Sequence, residues 1–228
     1  SVVLPIYNEE ASIEDVIVST TDFLVNNDSF NEFEIIAVDD GSRDNTSAIL
    51  KKLKESLPIK IITHSKNLGY GKSLMSGGKN SQFPLIFFMD ADGQFDVRDL
   101  NKLVPSLDRY GIVTGYREKR QDSLYRIILG KTHTFLISLL FELKLRDVNC
   151  GFKLVKKEVL DALNFVCSGP LAYSDILINA KNKGFKIKEV PVSHYPCRNS
   201  KQTGGSLRVV LSAIKELAQL WYQVKIKN

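Results

Sequence analysis

Cysteine is scarce. The 228-residue chain has three, Cys150, Cys167 and Cys197, an odd number with no CxxC pair. That argues against a disulfide scaffold or a structural zinc site and fits a reducing compartment. Histidine is equally sparse: His64, His133 and His194 are scattered without metal-ligand spacing and read as polar core or surface groups. Long charge-free runs are missing too. After Leu124 the longest is Thr132–Phe141, too short to span a bilayer, and no basic-then-apolar leader opens the sequence. There is no internal repeat and no low-complexity segment. What is present is ordinary for a globular chain, 43% apolar and 25% charged residues, which excludes wholesale disorder and is enough to bury a core unaided. The expectation is a soluble or membrane-peripheral protein.

The net charge of +5 hides a division. Residues 1–116 carry 11 Lys and Arg against 17 Asp and Glu, whereas residues 117–228 carry 20 against 9. A uniformly basic protein suggests nucleic acid or membrane as partner. An acidic half joined to a basic half fits two different sites better, one for a cation and one for an anionic substrate or surface.

The first half alternates strands and helices. Val2–Pro5, Glu34–Val38, Lys60–Thr63 and Leu85–Met89 are compact apolar runs of the kind buried on both faces of a sheet. Between them, Ala11–Asn26 and Thr46–Ser56 have helical spacing, the second after a turn-and-cap cluster. This pattern predicts an α/β fold with a mostly parallel sheet. In the second half, Ser123–Leu145 is strongly apolar, Lys156–Asn164 and Ile176–Lys183 look helical, and Phe185–Val192 reads as a strand. Pro196–Ser206 reads as a mobile loop. Leu207–Ile226 has helical spacing, with Leu207, Val210, Leu211, Ile214, Leu217, Trp221 and Val224 on the apolar side.

Ligands of open α/β sheets collect at the carboxyl ends of the strands, and polar clusters follow three of the predicted strands. These are Pro5-Ile6-Tyr7-Asn8-Glu9, Asp39-Asp40-Gly41-Ser42 and Asp90-Ala91-Asp92-Gly93-Gln94. Asp90, Asp92 and Gln94 offer oxygen ligands on one side of an extended segment. That set suits Mg²⁺ or Mn²⁺ with coordination room left for phosphate oxygens. Asp96 reads as a helix cap. The Gly-rich stretch Asn67–Ser73 fails both nucleotide-loop patterns, because Lys66 and Leu74 stand where glycines are required. A helix beginning after these glycines can still meet an anion, which leaves Lys72 as a donor-side contact. Cys150 and Cys167 read as small buried residues.

These motifs, with Gly115-Tyr116-Arg117, Asp147 to Gly151-Phe152-Lys153 and Glu189-Val190-Pro191-Val192, resemble in order and spacing the family 2 inverting glycosyltransferases. Within that family they are similar to the polyprenol-phosphate mannose and glucose synthases. The resemblance implies one GT-A (Rossmann-like) domain over 1–228, with a nucleotide-sugar and metal half (1–116) and an acceptor half (117–228) ending in amphipathic helices. It implies that Pro5, Tyr7, Glu9 and Asp39 cradle the base and ribose of a GDP- or UDP-hexose. Asp90, Asp92 and Gln94 would hold Mg²⁺ or Mn²⁺ against the diphosphate. Arg117, Arg126 and, from the loop, Arg198 would face the phosphate of a polyprenyl acceptor. Asp175 matches a position that is acidic in relatives and would orient an arginine or a substrate hydroxyl. The run Tyr125–Thr132 departs from the Arg-x-x-x-Ser-Arg pattern of relatives.

The chemistry agrees with these roles. A divalent ion stabilises a departing diphosphate, and a polyprenyl phosphate is already ionised, so cationic clamping matters more than a general base. Ser123–Leu145 and Leu207–Ile226 each join apolar residues to Lys or Arg and could lie in the membrane interface on the cytoplasmic face. A helix that simply closes the core fits the second segment equally well. The alternatives are transfer to a saccharide hydroxyl and a non-catalytic basic module that binds membrane or nucleic acid. The favoured reading has no nucleic-acid partner.

Overall fold

The computed structural model describes residues 1–197 and 206–227. In chain order the elements are β1 (Val2–Ile6), α1 (Ile13–Val25), β2 (Ile35–Asp39), α2 (Thr46–Ser56), β3 (Ile59–Thr63), α3 (Tyr70–Lys79) and β4 (Leu85–Met89). There follow α4 (Leu100–Leu103), β5 (Ile112–Arg117), α5 (Leu124–Phe141), β6 (Phe152–Lys156), α6 (Lys157–Ala162), α7 (Ala172–Asn182), β7 (Ile187–Val192) and α8 (Leu207–Tyr222). The expected mobile loop falls mainly on 198–205, outside the described residues.

The strands form one seven-stranded sheet in the order β3-β2-β1-β4-β6-β5-β7. β6 runs antiparallel to both its neighbours, β4 and β5; the other pairings are parallel. Six carboxyl ends therefore share one edge with the amino end of β6.

Strand alternation feeds two apolar layers. Val2, Leu4, Ile6, Ile35, Ala37, Phe87 and Met89 face one side, where α1 and α2 contribute Ile13, Val16, Ile17, Leu50 and Leu53. Val3, Ile36, Val38, Ile86 and Phe88 face the other, where α3, α5, α7 and α8 supply Leu74, Ile137, Phe141, Ile176, Leu177 and Leu220. With both faces covered, the strands read as unbroken apolar runs. Each fully buried side chain of this kind contributes about 1.5–3 kcal/mol, set against the entropy of ordering the chain.

Sequence patterning places α2 at its observed bounds and most other elements of the first half within two residues. It does not anticipate β5 or β6. β6 reads Phe-Lys-Leu-Val-Lys, and its buried lysine breaks the apolar run. The apolar positions of the Leu207–Ile226 stretch, α8 and the turn after it, also divide differently from expectation. Leu217, Leu220 and Val224 turn to the core, while Leu207, Leu211, Ile214 and Trp221 are exposed.

Among the described residues, α5 alone is long and apolar enough to cross a membrane, with a mean hydropathy of 1.3, against the expectation that this region is too short. Ile137 and Phe141 nevertheless pack in the core, and Arg126 pairs with Asp122 across the first turn. These contacts attach the helix to the sheet.

Candidate active site

The loops after β1 and β2 are laced together. Asn8 donates its N–H to Ser42 Oγ (3.0 Å) and accepts from Arg43 N–H (2.8 Å); Thr46 Oγ1 accepts from Glu9 N–H (2.9 Å). Glu10 accepts from both the backbone and the side chain of Asn45, each at 2.9 Å. This lacing holds the segment of Tyr7 and Glu9, both half-buried, against the loop that follows Asp39. Pro5 is buried inside β1, paired with Val38. The Asp39 carboxylate is buried and accepts from Ser42 N–H (2.9 Å) and Ser47 Oγ–H.

Asp40 serves the architecture. It accepts from Leu68 and Gly69 N–H, both at 2.9 Å, and lies 2.7 Å from His64 Nδ1, whose Nε2 meets Ser76 Oγ at 2.9 Å. The Asn67–Ser73 stretch is thereby fixed against the sheet edge. Gly69 has φ +100°, and a Cβ there would lie 2.5 Å from the Ser168 carbonyl oxygen, so only glycine fits. Lys72 is exposed in the first turn of α3.

Asp90 ends β4 in a tight cradle. Its Oδ1 accepts from Tyr70 Oη, and Tyr70 meets Tyr173 Oη at 2.9 Å. On the other side, a Cβ on Gly151 would lie 1.8 Å from Asp90 Oδ2. Burial and the neighbouring Asp92 push the Asp90 carboxyl up to about 7. Burial, then Asp92 and Asp90, do the same to Glu9, also to about 7. Asp92, also raised mainly by burial, accepts from Gln94 N–H at 3.0 Å. Gln94 donates its amide to the Tyr195 carbonyl (3.0 Å), leaving the amide oxygen as the end free to accept. Asp96 caps the turn before α4, as its spacing suggests.

Among the described residues no three His, Cys, Asp or Glu side chains form a complete metal centre. Crowded carboxylates that resist ionisation, plus one amide oxygen, fit a hard divalent ion whose remaining ligands come from a diphosphate.

Beyond β5 the charge reverses. The fully buried Asp122 side chain gathers three arginines: Arg120 at 2.8 Å, Arg126 at 3.2 Å, in ion-pair range but not aligned as a hydrogen bond, and Arg117 at 3.7 Å. Burial works to raise this carboxyl, but Arg120 and then Arg117 and His194 outweigh it and hold it low. Arg117 binds Asp147 with two parallel bonds, Nε to Oδ2 at 2.6 Å and NH2 to Oδ1 at 2.9 Å. Glu189 in turn accepts from the N–H groups of Arg146 (2.8 Å) and Asp147 (3.1 Å). The resulting cleft is lined by Arg117, Arg120, Lys131, Arg146, Tyr116 and Asp147. Arg117 and Arg126 also act electrostatically on Asp92, so cleft and carboxylates form one electrostatic unit.

The model of the family described as glycosyl transferase family 2 matches residues 1–163. The chain belongs to this family. It is a glycosyltransferase. It is 30% identical to a dolichyl-phosphate beta-glucosyltransferase (ALG5C) of Trichomonas vaginalis, over 93% of this chain and 69% of that protein. Its fold matches glucosyl-3-phosphoglycerate synthase of Mycobacterium tuberculosis in complex with UDP, with TM-score 0.70, 20% identity and coverage of 95% and 79% of the two chains. The same synthase with Mn²⁺, UDP and glucosyl-3-phosphoglycerate matches with TM-score 0.67, 22% identity and coverage of 98% and 76%. The architecture is that of GT-A glycosyltransferases.

In this family 2 glycosyltransferase not every expected residue lies at the cleft. Asp175 is fully buried in α7, accepting from the N–H groups of Val166 (2.7 Å) and Cys167 (2.8 Å) and from Asn179. No arginine touches it among the described residues, and its carboxylate anchors the Val166–Cys167 loop. Arg117 reaches the cleft with its fork committed to Asp147. Arg198 lies outside the described residues. Sequence reasoning passed over Tyr70, Tyr173, Arg120 and Asp122. Only the pairing of Arg120 with Asp122 left a local signal, two opposite charges two residues apart.

Proposed function

We propose that this glycosyltransferase transfers a hexose, with inversion, from a GDP- or UDP-sugar to a polyprenyl phosphate at a membrane surface. The observation that carries this reading is the meeting, on one sheet edge, of the Glu9/Asp90/Asp92 carboxylates with the Arg117/Arg120/Lys131/Arg146 cleft. Pro5, Tyr7, Glu9 and Asp39 would receive the nucleoside, with Lys72 at the mouth of α3. Asp90, Asp92 and Gln94 would hold Mg²⁺ or Mn²⁺, which supplies Lewis-acid stabilisation of the leaving diphosphate. The cleft cations would clamp the acceptor phosphate, whose charge of about −1.5 to −2 suits several guanidinium donors. Arg126 supports the cleft through Asp122.

A phosphate acceptor needs no deprotonation, and the groups nearest the cleft agree with that. Asp175 is sealed. Burial lowers His133 to about 4, and burial with Arg117 lowers His194 to about 4, so both are neutral and weakly basic. The relative acting on dolichyl phosphate supports the same acceptor class. Exposed apolar residues on α5 (Leu124, Ile128, Phe135, Leu139) and α8 (Leu207, Leu211, Ile214, Trp221) support interfacial docking.

The test is incubation with radiolabelled UDP- and GDP-hexoses, Mn²⁺ and a polyprenyl phosphate. Label should enter an organic-extractable product that mild acid hydrolyses. Label appearing only in water-soluble glycan overturns the lipid-acceptor reading.

A further inference from the structure

Four groups from three segments converge behind Asp90. Tyr70 opens α3, Tyr173 sits in the first turn of α7, Lys153 is on β6 and Gly151 immediately precedes that strand. The two phenol rings meet edge to face with centroids 5.5 Å apart and hydroxyls 2.9 Å apart. Tyr70 has one hydroxyl proton. If it is donated to Asp90 Oδ1, Tyr70 must accept the proton of Tyr173, so the chain runs Tyr173 to Tyr70 to Asp90. The Lys153 ammonium is fully buried, 4.1 Å from the Tyr173 ring centroid, and is tied to the Val148 and Cys150 carbonyls. A cation on the ring face draws electron density from the phenol and makes its O–H a stronger donor. Gly151 closes the opposite side, so the carboxylate has little room to rotate.

We propose that Tyr173 is a positioning residue for the donor site, acting through Tyr70 to fix the Asp90 carboxylate in the orientation that receives the divalent ion. This rests on the reading of Asp90 as a metal ligand. Carboxylates that bind metals are themselves held by outer hydrogen bonds, and loss of such a bond typically weakens metal affinity by 10–100-fold. The hydrogen-bonded path from Tyr173 to Asp90 runs through Tyr70, so the effect carried by that path must vanish when the Tyr70 hydroxyl is absent.

The experiment measures Mn²⁺ binding by EPR of the free ion at 10 °C, with UDP and again with GDP as second ligand. The proteins are wild type, Tyr70→Phe, Tyr173→Phe, the double variant and Asp90→Asn. Each Phe variant deletes one oxygen and keeps its ring, and thermal melts confirm that all are folded at the working temperature. Tyr70→Phe should weaken Mn²⁺ binding about tenfold, Tyr173→Phe by a smaller factor in the same direction, and the double variant no more than Tyr70→Phe alone. Nucleotide affinity without metal should stay unchanged, which a merely structural role would not predict. Unchanged Mn²⁺ affinity in Tyr173→Phe, or additive losses in the double variant, overturns the relay. If Asp90→Asn weakens binding and neither Phe variant does, the relay is wrong and the metal reading stands. If Asp90→Asn also binds Mn²⁺ normally, the metal reading falls and takes the relay with it.

Discussion

Asp90 is held where a bare carboxylate is uncomfortable, and that discomfort is measurable. Its carboxyl rises from an ordinary 3.8 to about 7 in the folded protein. Between those values the folded chain keeps a proton that the unfolded chain has released, so stability falls as pH rises through the window. Asp90→Asn, which mimics the protonated acid, should therefore raise the stability of the metal-free protein at pH 7.5 by on the order of 1 kcal/mol. The gain should disappear at pH 4, and sugar transfer should be lost at both. Melting curves of the two proteins side by side cancel the titrations of His133 and His194 and report Asp90 together with Glu9, on which its charge acts. Gly151→Ala offers a second probe. The new methyl would displace a side-chain carboxyl and not backbone, so metal affinity should drop at least tenfold with the fold retained. A Gly151→Ala protein with normal Mn²⁺ affinity would remove the close-approach argument. The expectation at Asp90, Asp92 and Gln94 came from spacing alone, because three side-chain oxygens two residues apart in an extended segment need no tertiary information. Tyr70 and Tyr173 were not legible, since 103 residues separate them and only the packing of α3 against α7 joins their hydroxyls.

Elements carry the next level of the design. α8 presents a carboxylate inward: Glu216 accepts from Gly169 N–H at 2.7 Å and Leu171 N–H at 3.0 Å, just before α7 begins. A negative charge beside the amino end of a helix is favourable, and the bonds satisfy two backbone donors that would otherwise lack partners. Glu216→Ala should cost about 1–3 kcal/mol by leaving those donors unmet, a loss visible as a lower denaturant midpoint. Asp175→Asn should likewise lower stability through the Val166–Cys167 loop, while kcat per folded molecule changes less than tenfold; a larger loss in folded protein would assign Asp175 a role in the reaction. The inward and outward halves of α8 explain why its sequence was ambiguous. Apolar residues occur on both sides, and the inward one, with Leu217 and Leu220, also carries the charged Glu216. β5 and β6 escaped sequence reasoning for a related reason. Gly115 and Arg117 interrupt the first, and Lys153 in the second is tolerated because two carbonyls and an aromatic face replace its water.

At the scale of the molecule, the split in charge survives folding as a carboxylate site and a cation cleft on one edge. Most of the exposed large apolar residues, those of α5 and α8 among them, belong to the basic half. Leu139 is 65% exposed, whereas Leu140 packs against the core. Phe135→Glu with Leu139→Glu should therefore leave the fold intact and cut sedimentation with anionic vesicles severalfold, together with transfer to lipid acceptor. Leu140→Glu should lower stability first. Unchanged vesicle binding in the folded double variant would refute interfacial docking.

The reversed strand β6 gives the chain an order of assembly. β5 has no sheet partner among the first 116 residues; among the described residues it pairs with β6 and β7 alone. During synthesis, β1 to β4 can pair as soon as they emerge, whereas β5 must wait until residue 156 is available and β6 can slot between β4 and β5. Until then the apolar edge of β4, with Ile86, Phe87 and Phe88, stays unpaired and prone to pairing with another chain. The acidic and basic halves differ in charge, yet neither half holds all the strands its own sheet requires. A fragment ending at 116 would expose that edge permanently, and aggregation is its expected fate.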